Sequence, residues 1–324
     1  VFITKNESQQ RLDRFIRKYL SNAPKGFIYR MIRKKNITLN NKKAQPENMI
    51  LEGDSIQFYL SDETIEKFRG ETRVIEDGFP INIVYEDKNI MLISKPIGIL
   101  SHSDNQEHNN IVDNMIYYLY KKGEYNPNME DTFIPSICNR LDRNTSGIII
   151  GAKNYQSLRM MNEAMREGNI DRYYKAVVKG AIKKDKSLEG YLIKDEEINK
   201  VEIIDEKMGK AKKIATNIRV LDFSNEYSLL EIELITGRTH QIRAHLTSIG
   251  HPIIGDIKYG DREINRYFKN EYGLNNQLLH GYKIVFSNLD RPLDYLNNRE
   301  FIDNKAYSFE KIQEKLFENW KDRG

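Results

Sequence analysis

The sequence predicts an α+β protein: a small basic N-terminal domain and a larger domain built on a mixed, largely antiparallel β-sheet flanked by helices. Three observations support this prediction. The 324 residues exceed one ordinary core, so a small domain beside one of roughly 200–250 residues is expected. Basic residues are concentrated in the first part of the chain. Further along, short β-rich runs and helices are interspersed without strict βαβ alternation, which disfavours a doubly wound sheet.

The N-terminal domain follows from residue periodicity. Five apolar residues between positions 9 and 20 form one stripe of a helix that Ser8 can cap: Leu12, Phe15, Ile16, Tyr19 and Leu20. After a break at Pro24, a second, basic helix is predicted over residues 26–35. A strand at 37–39 then enters an Asn-rich turn, and the Gly53-Asp54 turn precedes a closing strand that ends at Phe58.

The charge of this segment is one-sided. Eleven Lys or Arg residues stand against one acid, Asp13, between Gln9 and Lys43, while the rest of the chain carries 40 basic and 46 acidic residues. Such a separated patch is typical of a polyanion-binding protein, and a solvated charged face is the alternative. The helices, the hairpin and the Arg11-Leu12-Asp13 run resemble the S-four-type RNA-binding domain over residues 8–60. A basic helical hairpin of this size is equally suited to DNA or an acidic protein.

The remaining elements are predicted in order along the chain. Residues 61–80 are polar and aperiodic and are interpreted as a linker, and residues 81–324 as the larger domain. Strands are predicted at 90–94, 147–151, 174–178 and 229–235. Helices are predicted at 154–167 and 239–248, the second capped by Thr239 and ended by Gly250.

Composition limits the class of protein. Apolar residues make up 39% and charged residues 30%, which is typical of a globular chain. No apolar run approaches the roughly 20 residues that cross a bilayer, and the first residues lack a secretory signal pattern, so no membrane partner is expected. The single cysteine, Cys138, excludes an internal disulfide and fits a reducing cytoplasm.

Four stretches carry the functional signal, and each alone has an ordinary explanation as a turn, a surface ion pair, a core tyrosine or a structural salt bridge. They are Lys95-Pro96-Ile97-Gly98, Asn139-Arg140-Leu141-Asp142-Arg143-Asn144-Thr145-Ser146-Gly147, Arg172-Tyr173-Tyr174-Lys175-Ala176 and Gly237-Arg238-Thr239-His240-Gln241-Ile242-Arg243-Ala244-His245. With the following run from Gly250 to Asp256, their order and spacing over residues 81–260 resemble the RluA-type family of RNA pseudouridine synthases. The resemblance implies the pseudouridine synthase fold and an enzyme that isomerises uridine in RNA.

The same resemblance implies roles for individual residues. Asp142 would be the essential carboxylate, Arg243 its partner, and Tyr174 the residue that packs against the target base and transfers a proton. Arg140 would hold the place of the flipped nucleotide. The further RNA contacts expected across both domains are Arg143, Arg238, His240, Arg11, Arg14, Arg30, Arg33, Lys34 and Lys35. Asn139 stands where the family often has His, which leaves the role of Asp142 unaffected.

The implied reaction breaks the glycosidic bond, rotates uracil and rejoins it through carbon 5. It involves no redox change or phosphate transfer, so no metal or other cofactor is expected. The resemblance and the N-terminal domain favour large-subunit ribosomal RNA as the partner, although members of the family also modify transfer RNA. No obligate protein partner is evident, which is compatible with a monomer.

Two other classes of protein were weighed. A zinc enzyme is disfavoured because His240 and His245 stand at i and i+5, unlike the i and i+4 pair of a helical zinc motif. Cys138 has no recognisable Cys-His-Asn arrangement and is interpreted as an unreactive thiol. A non-catalytic RNA-binding protein, such as a ribosome assembly factor or a regulator, is the alternative that the basic N-terminal domain alone supports equally well.

Overall fold

The computed structural model of the protein describes residues 1–70, 77–103, 110–195, 200–305 and 307–317. It confirms the α+β prediction, with a large mixed, mostly antiparallel sheet flanked by helices. None of the described helices is both long enough and apolar enough to cross a membrane.

The N-terminal part has its own small core. Its elements are β1 (Gln10–Arg11), α1 (Leu12–Tyr19), α2 (Lys25–Arg33), β2 (Ile37–Leu39), β3 (Lys42–Lys43), β4 (Met49–Ile50), β5 (Ile56–Phe58) and α3 (Asp62–Phe68). Strands β3, β2 and β5 form one sheet, and β1 pairs with β4. All five residues of the predicted stripe of α1 are buried, and they pack against Ile28 and Ile32 of α2. Apolar periodicity therefore predicted the face of α1 that forms this core.

The predicted start of the first helix was wrong. Gln9 has a positive φ of 57°, and Gln10 and Arg11 pair with β4, so α1 begins only at Leu12. The hydroxyl of Ser8 donates to the carbonyl of Lys5 and does not cap the helix. The strand pairing uses the residues that a longer helix would have needed.

The segment predicted as a linker contains a helix in its first half. Helix α3 is capped by Ser61, whose hydroxyl oxygen accepts the Thr64 N–H at 3.4 Å. Ile65 and Phe68 are partly buried and pack against the N-terminal core. Residues 71–76 of this segment lie outside the described residues.

The larger part of the chain is built on one eleven-stranded sheet. Its elements are β6 (Asn82–Glu86), β7 (Ile90–Lys95), α4 (Ile111–Lys121), β8 (Ser136–Ile137), β9 (Ser146–Ala152), α5 (Tyr155–Glu167), β10 (Ile170–Lys179), β11 (Lys186–Asp195), β12 (Lys200–Ile204), β13 (Lys212–Phe223), β14 (Tyr227–Leu234), α6 (Gln241–Ser248), α7 (Arg262–Tyr272), β15 (Leu279–Phe286), a 3₁₀ turn (Asp294–Leu296), β16 (Glu300–Ile302) and α8 (Tyr307–Leu316). The strand order is β12-β11-β13-β14-β10-β15-β9-β7-β6, with β8 beside β9 and β16 beside β15.

Both faces of the sheet are covered at β7 and β9, which explains the continuous apolar runs of these two strands. Met91 and Ile93 belong to the core on the side of α4 and α6. Ile90 and Leu92, which alternate with them, belong to the core on the side of α5. Successive residues of β7 therefore pack into two different layers.

A close approach between two glycines fixes the middle of the sheet. Strands β9 and β15 are the parallel pair among the described strands, and Gly147 is paired with Gly281. A Cβ on Gly147, whose φ is +128°, would lie 2.2 Å from the Gly281 carbonyl oxygen. A Cβ on Gly281 would in turn lie 3.1 Å from the ring of Tyr174. The absence of both side chains brings the loop before β9 close to β10.

Candidate active site

A cleft of about 610 Å³ lies where the predicted functional stretches meet. The loop before β9, strand β10 and the segment that leads into α6 all line it. Its walls include Asp142, Tyr174, Arg172, His240 and Arg243. The volume falls within the range of about 300–1,000 Å³ that is usual for small-molecule sites.

The loop that carries Asp142 is held by hydrogen bonds on both sides of that residue. The hydroxyl of Ser101 donates to the Leu141 carbonyl at 2.8 Å and accepts the Leu141 N–H at 3.1 Å. The Thr145 N–H closes the loop on the Asp142 carbonyl at 3.0 Å. The carboxylate of Asp142 is 28% exposed. The loop is therefore fixed while its carboxylate faces the cleft.

The buried side chain of Lys95 also holds the loop that carries Asp142. Its side chain is fully buried, and Nζ donates to the carbonyls of Pro96 at 2.8 Å, Ile99 at 2.9 Å and Arg143 at 2.9 Å. Burial lowers the pKa of Lys95 to about 7, while three carbonyl acceptors match the three N–H bonds of the charged amine. The Lys-Pro-x-Gly stretch thus ties the end of β7 to the loop that bears Asp142.

The guanidinium of Arg243 joins two carboxylates. Nη1 donates to Asp142 Oδ2 at 2.8 Å, so the expected contact is present in the structure. Nε and Nη2 donate to the two oxygens of Asp256 at 2.7 and 2.9 Å. Asp256 is fully buried and also accepts the N–H groups of Lys258 and Tyr259. The two bonds to Asp256 fix the plane of the guanidinium and aim the remaining nitrogen at Asp142.

Both charges of this buried pair are favoured. Burial opposes the charged form of Asp256, but the hydrogen bonds and charge of Arg243 bring its pKa below the usual value. Burial likewise opposes the charge of Arg243, and the carboxylates of Asp256 and Asp142 raise its pKa above the usual value. Asp256 ends the run from Gly250 that matches the family, but the sequence alone predicts no role for it because a bidentate contact is visible only in three dimensions.

Tyr174 takes the inward position on β10 that alternation predicts for one tyrosine of the pair. It is 5% exposed, lies in the core cluster and lines the cleft. Burial raises the pKa of its phenol, so the hydroxyl keeps its proton. Tyr173 lies on the other face of the sheet, beside Lys283 and Glu233.

The entry into α6 differs from the prediction. The helix begins after His240, which has a left-handed φ of 53°, and Thr239 does not cap it. The side chain of Gln241 instead holds the segment before the helix, because its oxygen accepts the Arg238 N–H at 3.1 Å. The turn places His240 Nε2 3.8 Å from Asp142 Oδ2.

Comparison with known proteins identifies this arrangement. Residues 89–248 match the RNA pseudouridylate synthase family. An uncharacterized RNA pseudouridine synthase of Mycoplasma capricolum is 32% identical over 307 residues, which cover 93% of this chain and 96% of the relative. The chain belongs to the RNA pseudouridine synthase family. A ribosomal large subunit pseudouridine synthase C of Escherichia coli K12 is 31% identical over 89% of this chain and 88% of its own length.

A solved structure supports the fold of this pseudouridine synthase. Human RNA pseudouridylate synthase domain containing 4 aligns with a TM-score of 0.56 and 21% identity, over 72% of this chain and 92% of that one. Membership of the family makes the protein an isomerase, so the prediction of an enzyme is confirmed over the non-catalytic alternative.

The cations predicted to contact RNA surround the cleft of this pseudouridine synthase. Arg140, Arg143 and Arg238 are exposed at its rim. Arg172, for which no role was expected, lines the cleft on the same face of β10 as Tyr174. Its Nη2 donates to the Leu234 carbonyl at 3.2 Å, and its buried Nε has no hydrogen-bond partner among the residues that the structure describes.

The cations of the N-terminal domain divide into two groups. Arg14, Arg30, Arg33, Lys34 and Lys35 are exposed on α1 and at and beyond the end of α2. Arg11 instead donates to both oxygens of Asp13 at 3.0 Å and to Glu47 at 3.3 Å. The guanidinium of Arg11 is therefore engaged in ion pairs within the N-terminal part of the chain.

His245 and His251, which follow His240 in the sequence, have separate hydrogen-bond partners. His245 Nδ1 lies 3.0 Å from the Thr216 hydroxyl and His251 Nδ1 lies 2.8 Å from the Lys179 carbonyl. Within the described ranges, no group of three His, Cys, Asp or Glu side chains is arranged to hold a metal ion. Burial raises the pKa of the Cys138 thiol to about 12, which makes it a poor nucleophile.

Proposed function

We propose that this enzyme isomerises specific uridines of large-subunit ribosomal RNA to pseudouridine, with Asp142 as the catalytic carboxylate acting on a flipped-out nucleotide. The observation that carries the proposal is the 2.8 Å contact between Arg243 Nη1 and Asp142 Oδ2 in the wall of the cleft. The substrate class is supported by the name of the Escherichia coli relative, a ribosomal large subunit pseudouridine synthase.

The chemistry calls for an ionised carboxylate beside the nucleoside. Asp142 either attacks the sugar or the base as a nucleophile, or removes a proton from the ribose, and each of these steps requires its charged form. Arg243 supplies the compensating positive charge, and Asp256 holds Arg243 in place. Asp142 lines the cleft and its side chain is 28% exposed, so the carboxylate is accessible to a nucleotide bound there.

The cleft is suited to a single nucleotide taken out of the RNA stack. Extrusion of a base costs a few kcal/mol, which contacts to the flipped base and to the gap must offset. Tyr174 offers an aromatic surface inside the cleft, and its phenol is protonated and able to transfer a proton. Arg140 is exposed at the rim, where it can enter the space that the base leaves.

Residues 8–60 are proposed as the S-four-type domain that binds RNA around the target. The support is the row of exposed cations on α2 and the following turn, which includes Arg30, Arg33 and Lys34. Phosphate contacts of this kind add affinity and salt dependence with little base specificity. The cleft would then select the uridine, and the N-terminal domain would select the region of RNA around it.

The test uses the full chain, transcripts of large-subunit ribosomal RNA and of transfer RNA, and carbodiimide detection of pseudouridine. We compare the wild type, Asp142→Asn and the matched control Asp205→Asn, whose side chain is exposed. We expect the wild type and the control to modify ribosomal RNA at equal rates, and Asp142→Asn to bind RNA without modifying it. Modification by Asp142→Asn at the wild-type rate would refute its catalytic role. Modification of transfer RNA alone would refute the substrate assignment.

A further inference from the structure

A left-handed backbone turn places His240 beside the proposed catalytic carboxylate. His240 stands at the start of α6, but its side chain does not cap the helix. Its left-handed conformation directs the imidazole over the cleft, with Nε2 3.8 Å from Asp142 Oδ2. The side chain of His240 is 10% exposed. At this distance the two groups are neighbours without a hydrogen bond, and His240 is one of the residues that line the cleft.

The other ring nitrogen of His240 contacts the hydroxyl of Tyr259. His240 Nδ1 lies 3.0 Å from that oxygen, and the Val201 N–H donates to the same oxygen at 2.9 Å. A phenol has one proton to donate, and the backbone N–H of Val201 can only donate. If His240 also donated, the phenol proton would have no acceptor among the residues that the structure describes. The arrangement that satisfies all three groups has Tyr259 donating to Nδ1.

This contact fixes the tautomer of the imidazole. With Nδ1 accepting, the ring proton of neutral His240 stands on Nε2, the nitrogen nearer Asp142. Burial lowers the pKa of His240, with the cations Arg243 and Lys258 opposing the carboxylates of Asp142 and Asp256 around it. His240 is therefore neutral near pH 7 and presents an N–H beside Asp142.

Tyr259 also contacts the cationic partner of Asp142. The guanidinium carbon of Arg243 lies 5.1 Å from the centre of the Tyr259 ring, and the ring of His240 meets it edge-on at 5.6 Å. The tyrosine is 7% exposed and belongs to the core cluster that packs β12 and β13 against α6. One buried side chain thus orients the two groups closest to Asp142.

We propose that His240 is a neutral Nε2–H donor to an oxygen of the flipped nucleotide, and that Tyr259 is the positioning residue that sets this tautomer. The inference rests on the proposed function of the cleft. Arg243 already provides a cation beside Asp142, so a second donor without charge can bind the uridine without pairing with the carboxylate. The sequence-based prediction made His240 one RNA contact among several and gave Tyr259 no role.

The tautomer is tested directly by long-range ¹H–¹⁵N spectra of the labelled full chain at pH 7.5. The chain has six histidines, and His240 is assigned by the signal that His240→Gln removes. We expect the Nε2–H pattern in the wild type and in the control Tyr267→Phe, and a mixture of tautomers in Tyr259→Phe. An Nδ1–H or imidazolium pattern in the wild type would overturn the inference.

Single-turnover rates and RNA affinities test the role of the donor. His240→Ala should lower the rate by about a hundredfold, the range expected for loss of a donor used in the transition state, with RNA affinity within about twofold. His240→Gln, which keeps an N–H, should recover part of the rate, and Tyr259→Phe should lose about tenfold. Equal rates in His240→Ala and the wild type would reject the proposal. So would a loss confined to RNA affinity.

These outcomes are separable from the failure of the proposed function. If Asp142→Asn is active, the assignment of the cleft fails whatever the tautomer of His240. If Asp142→Asn is inactive and the spectra show Nδ1–H, the cleft stands and the inference about His240 alone fails. A purely structural role for His240 would lower the melting temperature of His240→Ala and His240→Gln equally, without recovery of rate in the second.

Discussion

Substitution of Asp256 by Asn tests whether activity depends on the buried ion pair of Arg243 and Asp256 as well as on Asp142. Both oxygens of Asp256 accept from Arg243, at 2.7 and 2.9 Å, and its side chain is 0% exposed. In Asp256→Asn the amide group would face one of these donors, and Arg243 would keep its charge in the interior. Loss of one partner of a buried ion pair costs about 3–5 kcal/mol of stability.

The catalytic effect should follow from geometry. Without the bidentate contact, Arg243 loses one of the two hydrogen bonds that aim Nη1 at Asp142. We expect the single-turnover rate to fall by about a hundredfold, because loss of one correctly placed hydrogen-bond donor raises the activation free energy by roughly 3 kcal/mol. RNA affinity should change little, because Asp256 is fully buried and is not one of the residues that line the cleft.

The lowered pKa of Asp256 predicts how its contribution to the stability of the fold changes with pH. The pKa of Asp256 is lower in the folded state, so its contribution is fully present above the ordinary value of about 4 and is lost as the pH falls through the folded value. In chemical denaturation at pH 7, the wild type and the exposed control Asp205→Asn should therefore be equally stable and Asp256→Asn less stable, and the difference should shrink as the pH falls below about 4. A loss at pH 7 below about 1 kcal/mol, combined with a wild-type rate, would refute this account of Arg243.

Three further outcomes are expected. Gly147→Ala should unfold at markedly lower temperature, because its Cβ would lie 2.2 Å from the Gly281 carbonyl, whereas Gly26→Ala, with no atom within 4 Å, should be neutral or stabilising. The double variant of Arg33 and Lys34 to Ala should weaken RNA binding and reduce its salt slope by about 1 to 2, with the rate at saturating RNA unchanged; an unchanged slope counts against the N-terminal domain. Tyr174→Phe should retain RNA affinity and lose turnover, and full activity would exclude its proton-transfer role.

Local patterns predicted much of the architecture, because they depend on periods that a sequence displays. The stripe of α1 and the inward position of one tyrosine of the Tyr173-Tyr174 pair are examples, since alternation and helical spacing determine which side chains share a face. The predicted linker failed in its first half for a related reason. Helix α3 presents only Ile65 and Phe68 to the core, too few apolar residues to show a period.

The contacts that organise the site were harder to foresee. Asp256 and Arg243 are 13 residues apart, and their bidentate contact depends on how the chain folds back after α6. The link between Tyr259 and His240 requires a left-handed residue at the start of the helix, a conformation that local sequence seldom indicates outside glycine. The family motifs located these stretches, but the partner of each side chain depends on long-range geometry.

The parallel pairing of β9 with β15 has a consequence for the order of folding. Ser146 and Gly147 meet His280 and Gly281, about 134 residues later in the chain, so the loop bearing Asp142 gains its neighbour only after most of the protein has been synthesised. Contacts of such sequence separation form slowly because the intervening loop must close first. The N-terminal part, whose helices and strands pack on one another within residues 1–68, has neighbours much closer along the chain. A nascent chain would therefore be able to form this small core well before the loop bearing Asp142 meets its partner strand.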